Sequence, residues 1–306
     1  HDYFDFVKGV VDSPDLSLNI SREILQHDRQ LRVIGQNLEK KIKGELEKLM
    51  KDDRPKYEEF FRNFGTDIKC GVCDEYGRYK DFLRDLLVFY TSEEHQITLK
   101  EYVENMPESQ KAIYFASSDS VKHAMSLPQC DQVRARGYEL IYLTSPLDEM
   151  VLENLRDQDG HPFCNVVTED LGFETEEEKK AAEEKAETLK PCFDFIKETL
   201  GDRVKEVRLS ADLGEHPVSM VPEGGMSFEM EKYFQLVQPD SSIKAQRILE
   251  LNTEHPAFTA LENAVTADPE KAKIYAKLLY DQALLIAGLP LDDPSGYTDL
   301  VCGLMK

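Results

Sequence analysis

Apolar residues in the N-terminal third of the chain recur at steps of three and four, which places them on one face of an α-helix. The first such stripe follows Gln26 and predicts a long amphipathic helix that stops at Arg54-Pro55. The same period predicts two further helices, around Tyr57–Phe64 and Tyr79–Phe89. The residues of the first stripe are Ile34, Leu38, Ile42, Leu46 and Leu49.

The pattern then changes to short apolar runs that are typical of buried strands. Ala112–Ala116 and Glu139–Leu143 predict two strands, with a helix near Val121–Ser126 between them. Strand, helix and strand within about thirty residues is the spacing of a parallel crossover unit. A helix over Pro146–Leu155 and an edge element at Val166–Thr168 complete this half, which we therefore expect to be α/β.

Two capping boxes, in which a Thr and a Glu three residues later satisfy each other's backbone N–H groups, mark helix starts. Thr98 and Glu101 start a short helix, and Thr175 and Glu178 start the highly charged segment Glu174–Lys190. We interpret this segment as a solvated helix that joins two domains. The expected domains are thus residues 1–173 and 191–306, with a connector at 174–190.

The part beyond the connector predicts an α+β domain. Pro191–Leu200 has the pattern of a helix, Val204–Ser210 alternates like a strand, and Met226–Leu236 is a short amphipathic helix. Asp268-Pro269 and Asp293-Pro294 each supply an N-cap residue and a first-turn proline, so they start the last two helices.

Composition excludes several classes of protein. The 306 residues include 37 Lys+Arg and 59 Asp+Glu, which gives a formal net charge of −22. An acidic surface does not gather nucleic acid or anchor to a membrane through basic residues. No apolar run approaches the roughly 20 residues that span a bilayer. With 41% hydrophobic residues the chain has enough apolar content to form packed cores.

The six cysteines do not form the pattern of a disulfide scaffold, so we expect a reducing cytoplasm. Cys70 and Cys73 form a CxxC motif, which occurs in zinc sites and in redox pairs. A zinc site needs two further ligands, and neither a second CxxC nor an HxxxH motif occurs, so we expect no bound metal. A thiol oxidoreductase that uses Cys70 and Cys73 remains an alternative function.

An arginine near the N-terminus is a candidate ligand for a phosphate group. Arg22 follows Ser21, which can cap a helix, and precedes Gln26. An Arg in such a position is either a solvated first-turn residue or a forked donor to an anion. The spacing alone does not decide between them. The chain also begins without Met and within an apolar run, so we expect it to be a fragment of a longer protein.

The run Gly9–Leu16, followed by Leu18–Glu23, closely resembles the middle-domain signature of the heat-shock protein 90 chaperone family. Further matches follow in the family's order over essentially the whole chain, and the lack of a Met-Glu-Glu-Val-Asp tail resembles the bacterial branch. These matches are Asn63-Phe64-Gly65, Leu83–Phe89, Gln110–Tyr114, Gly137–Leu143, Asp148-Glu149, Leu251-Asn252, His255-Pro256 and Leu278–Leu285.

The resemblance implies that the intact protein binds and hydrolyses ATP with Mg²⁺ in an N-terminal domain that does not precede His1. Arg22 matches the family's arginine that reaches the γ-phosphate, Gln26 matches its companion in the same catalytic loop, and Asn19 belongs to the same motif. Ser17 departs from the family, which commonly has Pro there. We expect the fragment itself to bind no ATP and to be inactive as an ATPase.

The resemblance also implies a surface that binds non-native client proteins. Met226, Met230, Tyr233 and Phe234 share one face of a short helix after Gly224-Gly225, and they match the helix that points into the cleft between two protomers. The alternative is that this face packs on its own domain. Glu149 and Met150 match a second client-binding position, although bacterial members often carry Trp where Met150 stands.

The last two helices match the family's dimerisation bundle, so we expect a homodimer. The alternative is that they cover the domain's own sheet. A non-catalytic dimerisation scaffold is the other function left open, and the bacterial seventy-kilodalton chaperone system is a candidate partner. The expected dimer contacts are Leu278, Leu285, Tyr297, Leu300, Val301 and Leu304.

Overall fold

The structure is a computed structural model that describes residues 2–12, 29–210, 213–238 and 244–305. Helix and strand are mixed along the chain, and the strands form two sheets. None of the helices in this described part combines the length and apolar character needed to cross a membrane. The helices are α1 Arg29–Asp52, α2 Arg54–Cys73, α3 Lys80–Leu83, α4 Leu99–Asn105, α5 Val121–Met125, α6 Gln129–Ala135, α7 Pro146–Leu155, α8 Glu176–Leu200, α9 Phe228–Val237, α10 Pro256–Ala267, α11 Pro269–Ile286 and α12 Pro294–Gly303.

The strands are short, from two to six residues. They are β1 Phe89–Tyr90, β2 Gln96–Ile97, β3 Ile113–Ser117, β4 Leu140–Leu143, β5 Asp157–Gln158, β6 His161–Asn165, β7 Glu206–Leu209, β8 Val218–Glu223 and β9 Gln246–Leu251.

The chain forms two compact units. The first contains His1–Phe89, His95–Asn105 and Leu147–His161, and the second contains Tyr90–Glu94, Met106–Pro146 and Pro162–Lys306. The second unit therefore includes the two crossover strands, β3 and β4, and all residues from Pro162 onward. The domain boundary at 174–190 remains a prediction.

The first unit is mainly helical, and its interior is fixed by polar contacts as well as by apolar packing. Tyr57 of α2 is fully buried, and its hydroxyl donates to the carbonyl of Leu86 at 2.5 Å. Arg54 donates to both carboxylate oxygens of Glu101, at 2.9 and 3.1 Å. The predicted capping box is present, because Thr98 N donates to Glu101 Oε2 at 2.7 Å and Glu101 N donates to Thr98 Oγ1 at 3.1 Å.

The expected helix over Tyr79–Phe89 is wrong. Only α3 is helical there, a 3-10 turn follows at Arg84–Leu86, and the chain is extended by Phe89. Leu86, Leu87 and Val88 are consecutive and all buried, so this run is covered on every side and has no exposed helical face. The first two expected helices are confirmed as α1 and α2, although α2 continues to Cys73.

The predicted parallel crossover is confirmed in the second unit. Strand β3 runs parallel to β4, with Phe115 opposite Ile141, and α5 and α6 lie between them in sequence. On its other side β3 pairs in parallel with β6, with Tyr114 opposite Cys164. Tyr90 of β1 pairs antiparallel with Tyr142 of β4.

The expected edge element at Val166–Thr168 is wrong, because the strand lies just before it. The side chain of Asn165 ends β6 by accepting a hydrogen bond from Val167 N at 3.0 Å. The backbone carbonyl of Asn165 also accepts hydrogen bonds from the backbone N–H groups of Thr168 and Glu169. An Asn that satisfies the following backbone in this way favours a turn over a continued strand.

The C-terminal part of the second unit packs helices against one face of a three-stranded sheet, in the order β7-β9-β8. Strand β7 runs parallel to β9, and β8 runs antiparallel to it. Alternate sheet residues join a core with α8, α10 and α11. Its most buried members include Ile196, Val218, Leu249, Leu251, Leu261, Ala276 and Ala283.

Helix α8 joins two elements that the sequence predicts as separate. The charged connector and the helix over Pro191–Leu200 form one continuous helix of 25 residues, with Pro191 inside it. Its capping box is present, since Thr175 N donates to Glu178 Oε2 at 2.7 Å and Glu178 N donates to Thr175 Oγ1 at 3.2 Å.

The crossover strands and the C-terminal sheet are joined within the second unit by a few specific polar contacts. Gln129 Nε2 at the start of α6 donates to Ser219 Oγ of β8 at 2.5 Å, and both residues are buried. His123 of α5 places Nε2 2.9 Å from the carbonyl oxygen of Ile286. Gly288 has φ +66°, and a Cβ built there would lie 2.4 Å from the His123 ring, so this position requires glycine.

Candidate functional site

Helix α9 is the expected client-binding helix, and its apolar side is partly exposed in the described structure. Its N-cap is Ser227, whose Oγ accepts from Met230 N at 3.1 Å. Met230, Tyr233 and Phe234 are partly exposed, and the rings of Tyr233 and Phe234 meet edge to face at 5.9 Å. Met226 precedes the helix and packs partly on the C-terminal core.

Two apolar residues outside the set expected from the sequence extend this surface. Leu236 is 80% exposed and Val237 is 55% exposed, both in the last turn of α9. Their position one helical turn beyond Tyr233 is the signal that could have found them. We call Met230, Tyr233, Phe234, Leu236 and Val237 the α9 apolar surface.

The opposite side of α9 is anchored by a buried carboxylate. Glu231 is 4% exposed and accepts hydrogen bonds from Ala245 N at 2.9 Å, Gln235 Nε2 at 3.0 Å and Arg247 Nη2 at 3.1 Å. Phe228 is also buried on this side, with the Arg247 guanidinium 5.8 Å from its ring centroid. A buried carboxylate is tolerated when its oxygens are satisfied in this way.

The second expected client-binding position lies on α7 in the first unit. Glu149 is only 7% exposed, whereas Met150 is partly exposed. The neighbouring Asp148 is 3% exposed and has Oδ1 2.5 Å from Lys69 Nζ, which ties the first turn of α7 to α2. Of the two expected residues, Met150 therefore offers more surface in this structure.

The residues of the last helix, α12, are all at least partly exposed to solvent. No residue within α12 is buried, and Tyr297, Leu300 and Val301 are all partly exposed. Leu304, directly after it, is 49% exposed, and Leu285 of α11 is 48% exposed. Leu278 differs, because its own chain leaves it only 6% exposed.

The CxxC motif lies in the last turn of α2. Burial, followed by Asp67 and Asp74, raises the pKa of the Cys70 thiol. Burial is also the main cause that raises the pKa of Cys73 to about 11. A helix C-terminus disfavours negative charge, whereas reactive CxxC thiols have lowered pKa values. The geometry therefore opposes thiolate chemistry at this pair.

The expected catalytic residues Asn19, Arg22 and Gln26 lie outside the described residues. Within the described ranges, no group of three or more His, Cys, Asp or Glu side chains is arranged to hold a metal ion.

Comparison with known proteins gives a match along the whole chain. The family model described as Hsp90 protein matches residues 1–306. The chain belongs to the Hsp90 family. Over 305 residues it is 46% identical to the chaperone protein HtpG of Bacillus subtilis, which covers 99% of this chain and 49% of that protein. It is 47% identical over 306 residues to HtpG of Clostridium botulinum and 46% identical to HtpG of Clostridium perfringens, each covering 100% of this chain and 49% of the relative.

This Hsp90-family chain thus spans about half the length of the curated relatives it matches. The resemblance carried by the sequence motifs is confirmed at the level of the family.

A first prediction concerns the two thiols of this Hsp90-family chain. With a pKa of about 11, only about one Cys73 side chain in a thousand is a thiolate at pH 8. Alkylation of Cys73 by iodoacetamide, followed by mass spectrometry of the peptide, should therefore be slow at pH 8 and rise up to about pH 11. The measurement is repeated in the Cys70→Ser variant, so that the neighbouring thiol does not contribute to the reaction. Alkylation of Cys73 at pH 7 as fast as that of glutathione would contradict the prediction.

Proposed function

We propose that the chain is the distal middle domain and C-terminal dimerisation domain of an ATP-driven bacterial heat-shock chaperone of the cytoplasm. It binds non-native client proteins in the cleft of a homodimer. The single observation that carries this proposal is the α9 apolar surface, which stays partly exposed while a buried carboxylate anchors the opposite side of the helix. The names of the HtpG relatives support the chaperone assignment.

The chemistry of the α9 apolar surface suits clients of varied sequence. Methionine is flexible and polarizable, and aromatic rings bury a large area at a low cost in side-chain entropy. Contacts of this kind require only apolar side chains on the client, which non-native proteins expose. The net charge of −22 keeps a protein with such a surface from self-association through non-specific contacts.

Dimerisation places two such surfaces opposite each other. Leu285, Tyr297, Leu300, Val301 and Leu304 form the contact, and Leu278 supports it from within the protomer. Two copies of α11 and α12 then bury their apolar sides in an isologous four-helix bundle. A dimer that does not bind clients would instead support the scaffold alternative.

In the intact protein, a separate domain would hold ATP and Mg²⁺, and ATP binding and hydrolysis would open and close the dimer. Arg22 reaches the γ-phosphate and stabilises the charge that develops during transfer, as an arginine finger does. Gln26 and Asn19 act with Arg22 in this reaction. The bacterial seventy-kilodalton chaperone system is a partner of the intact protein.

The client proposal predicts that Phe234→Ser weakens aggregation suppression. Removing the ring deletes an apolar anchor, so about three- to tenfold more protein should be needed to suppress aggregation of heat-denatured citrate synthase, measured by light scattering. The matched control is Phe64→Ser, because Phe64 is a 40% exposed phenylalanine of the first unit. Equal loss in both variants, or none in Phe234→Ser, would contradict the assignment of the surface.

The dimer proposal predicts that the chain truncated after Gly288 is a monomer. Multi-angle light scattering over a dilution series should give a dimer for the full chain and a monomer for the truncation. Leu300→Asp should also raise the dimer dissociation constant at least about tenfold, since it places a charge in an apolar contact. Thr298→Asp, at an exposed position of the same helix, is the control. A full chain that is monomeric at every concentration, with α12 folded, would exclude this dimer.

The catalytic-loop proposal predicts that Arg22→Ala in the intact protein lowers ATP turnover by on the order of tenfold or more, with nucleotide affinity retained. Arg32→Ala, at an exposed position of α1, is the control. Steady-state phosphate release and nucleotide titration measure the two quantities. Unchanged turnover in Arg22→Ala would remove Arg22 from the reaction.

A further inference from the structure

A cleft of about 620 Å³ lies in the second unit, apart from the α9 apolar surface. One wall is the turn after β6, a second is the N-terminal half of α8, and a third is the face of the C-terminal sheet that points away from its core. This volume is within the range of sites that hold small ligands or short peptide segments.

The cleft carries an excess of negative charge. Its two cations are already paired, because Lys179 Nζ lies 3.6 Å from Asp170 Oδ2 and Arg208 Nη2 lies 2.7 Å from Glu250 Oε1. Among the residues that line the cleft, five carboxylates and two cations give a formal charge of minus three. The carboxylates belong to Glu169, Asp170, Glu174, Glu183 and Glu250.

Apolar side chains line the cleft between these charges. On α8, Ala182 and Ala186 lie one turn apart, and their small size leaves space beside the helix. Leu171 and Val221 contribute branched side chains from the other two walls. A ligand that fits this lining has cationic groups and apolar groups at short intervals.

An edge strand also lines the cleft, and this points to a polypeptide ligand. Arg208 and Leu209 of β7, and Ser210 directly after the strand, contribute to the wall of the cleft. Successive side chains of a strand point to opposite faces, so a wall of consecutive residues includes the backbone. In the described ranges β7 pairs with β9 alone and lies at the edge of its sheet. An edge of this kind offers N–H and C=O groups to an added strand.

We infer that this cleft binds an extended polypeptide segment in which Lys or Arg alternates with apolar residues. The carboxylates receive the cationic side chains, the alanine side of α8 receives the apolar ones, and β7 pairs with the segment's backbone. The segment belongs to a client, so the inference rests on the proposed function for the source of the ligand.

The test uses the 306-residue chain and a fluorescein-labelled nine-residue peptide that alternates Lys and Val, with binding followed by fluorescence anisotropy. Glu183→Lys should weaken binding about fivefold, because it replaces attraction by repulsion at the cleft. Glu187→Lys makes the same change in net charge at an exposed position of α8 outside the cleft, and it should alter binding less than twofold. Raising the salt concentration from 50 to 300 mM should weaken binding several-fold.

Two further comparisons separate peptide binding in the cleft from peptide binding elsewhere on the acidic surface. Ala182→Phe should fill the cleft and weaken binding, whereas Ala181→Phe, at an exposed position of α8 outside the cleft, should not. Peptides with Glu in place of Lys, or Ser in place of Val, should bind at least about fivefold more weakly. If the Lys-Ser peptide binds as well as the Lys-Val peptide, or spermine displaces both equally, the cleft takes small cations and the inference is wrong.

The outcomes for the cleft and for α9 are distinguishable. If Phe234→Ser abolishes peptide binding and Glu183→Lys does not, the peptide binds at the α9 apolar surface, so the cleft inference fails while the proposed function stands. If Glu183→Lys weakens peptide binding and Phe234→Ser leaves aggregation suppression unchanged, the cleft is a peptide site and the α9 proposal fails.

Discussion

The buried carboxylate of Glu231 determines which side of α9 faces solvent. Its oxygens accept hydrogen bonds from Ala245 N and from Arg247, so this side of the helix is held against the start of β9. A rotation that buried the apolar side would expose Phe228 and leave the Arg247 guanidinium without its carboxylate. Losing one partner of a buried pair costs several kcal/mol, about as much as covering two large apolar side chains gains. The exposed surface is therefore a consequence of a polar anchor.

Local signals in the sequence predict much of the fold. Thr98 with Glu101, and Thr175 with Glu178, form the capping boxes that their spacing predicts. The crossover strands are predicted to within a residue or two at each end, because continuous apolar runs leave little choice of structure. In the Tyr79–Phe89 segment, where the predicted helix is wrong, a distant contact competes with the local pattern. The Tyr57 hydroxyl donates a hydrogen bond to the backbone carbonyl of Leu86, which lies within the segment expected to be helical.

The candidate sites were predicted less completely, for a similar reason. The apolar spacing from Met226 to Phe234 identifies one face of α9. The opposite face is anchored by Glu231, whose partner Arg247 lies in the next strand, β9, and is not identified by this spacing. Burial of Glu149 depends on neighbours that the sequence does not reveal. The raised pKa of Cys73 likewise follows from burial at a helix end, since the motif alone is also compatible with a reactive thiol. Sequence thus predicts which residues are chemically suitable, and packing decides which are accessible.

Helix α8 has a mechanical consequence. Its 25 residues, at about 1.5 Å per residue, make a rod of about 37 Å that borders the cleft at one end and enters the core at the other. Pro191 supplies no N–H to the carbonyl of Glu187, so one hydrogen bond is missing where the solvated half meets the buried half. Bending stiffness is therefore lowest at this one peptide group. Along the helix itself, a force on the N-terminal half therefore passes to the buried half through this weakened turn, whose position is fixed by the covalent structure of proline.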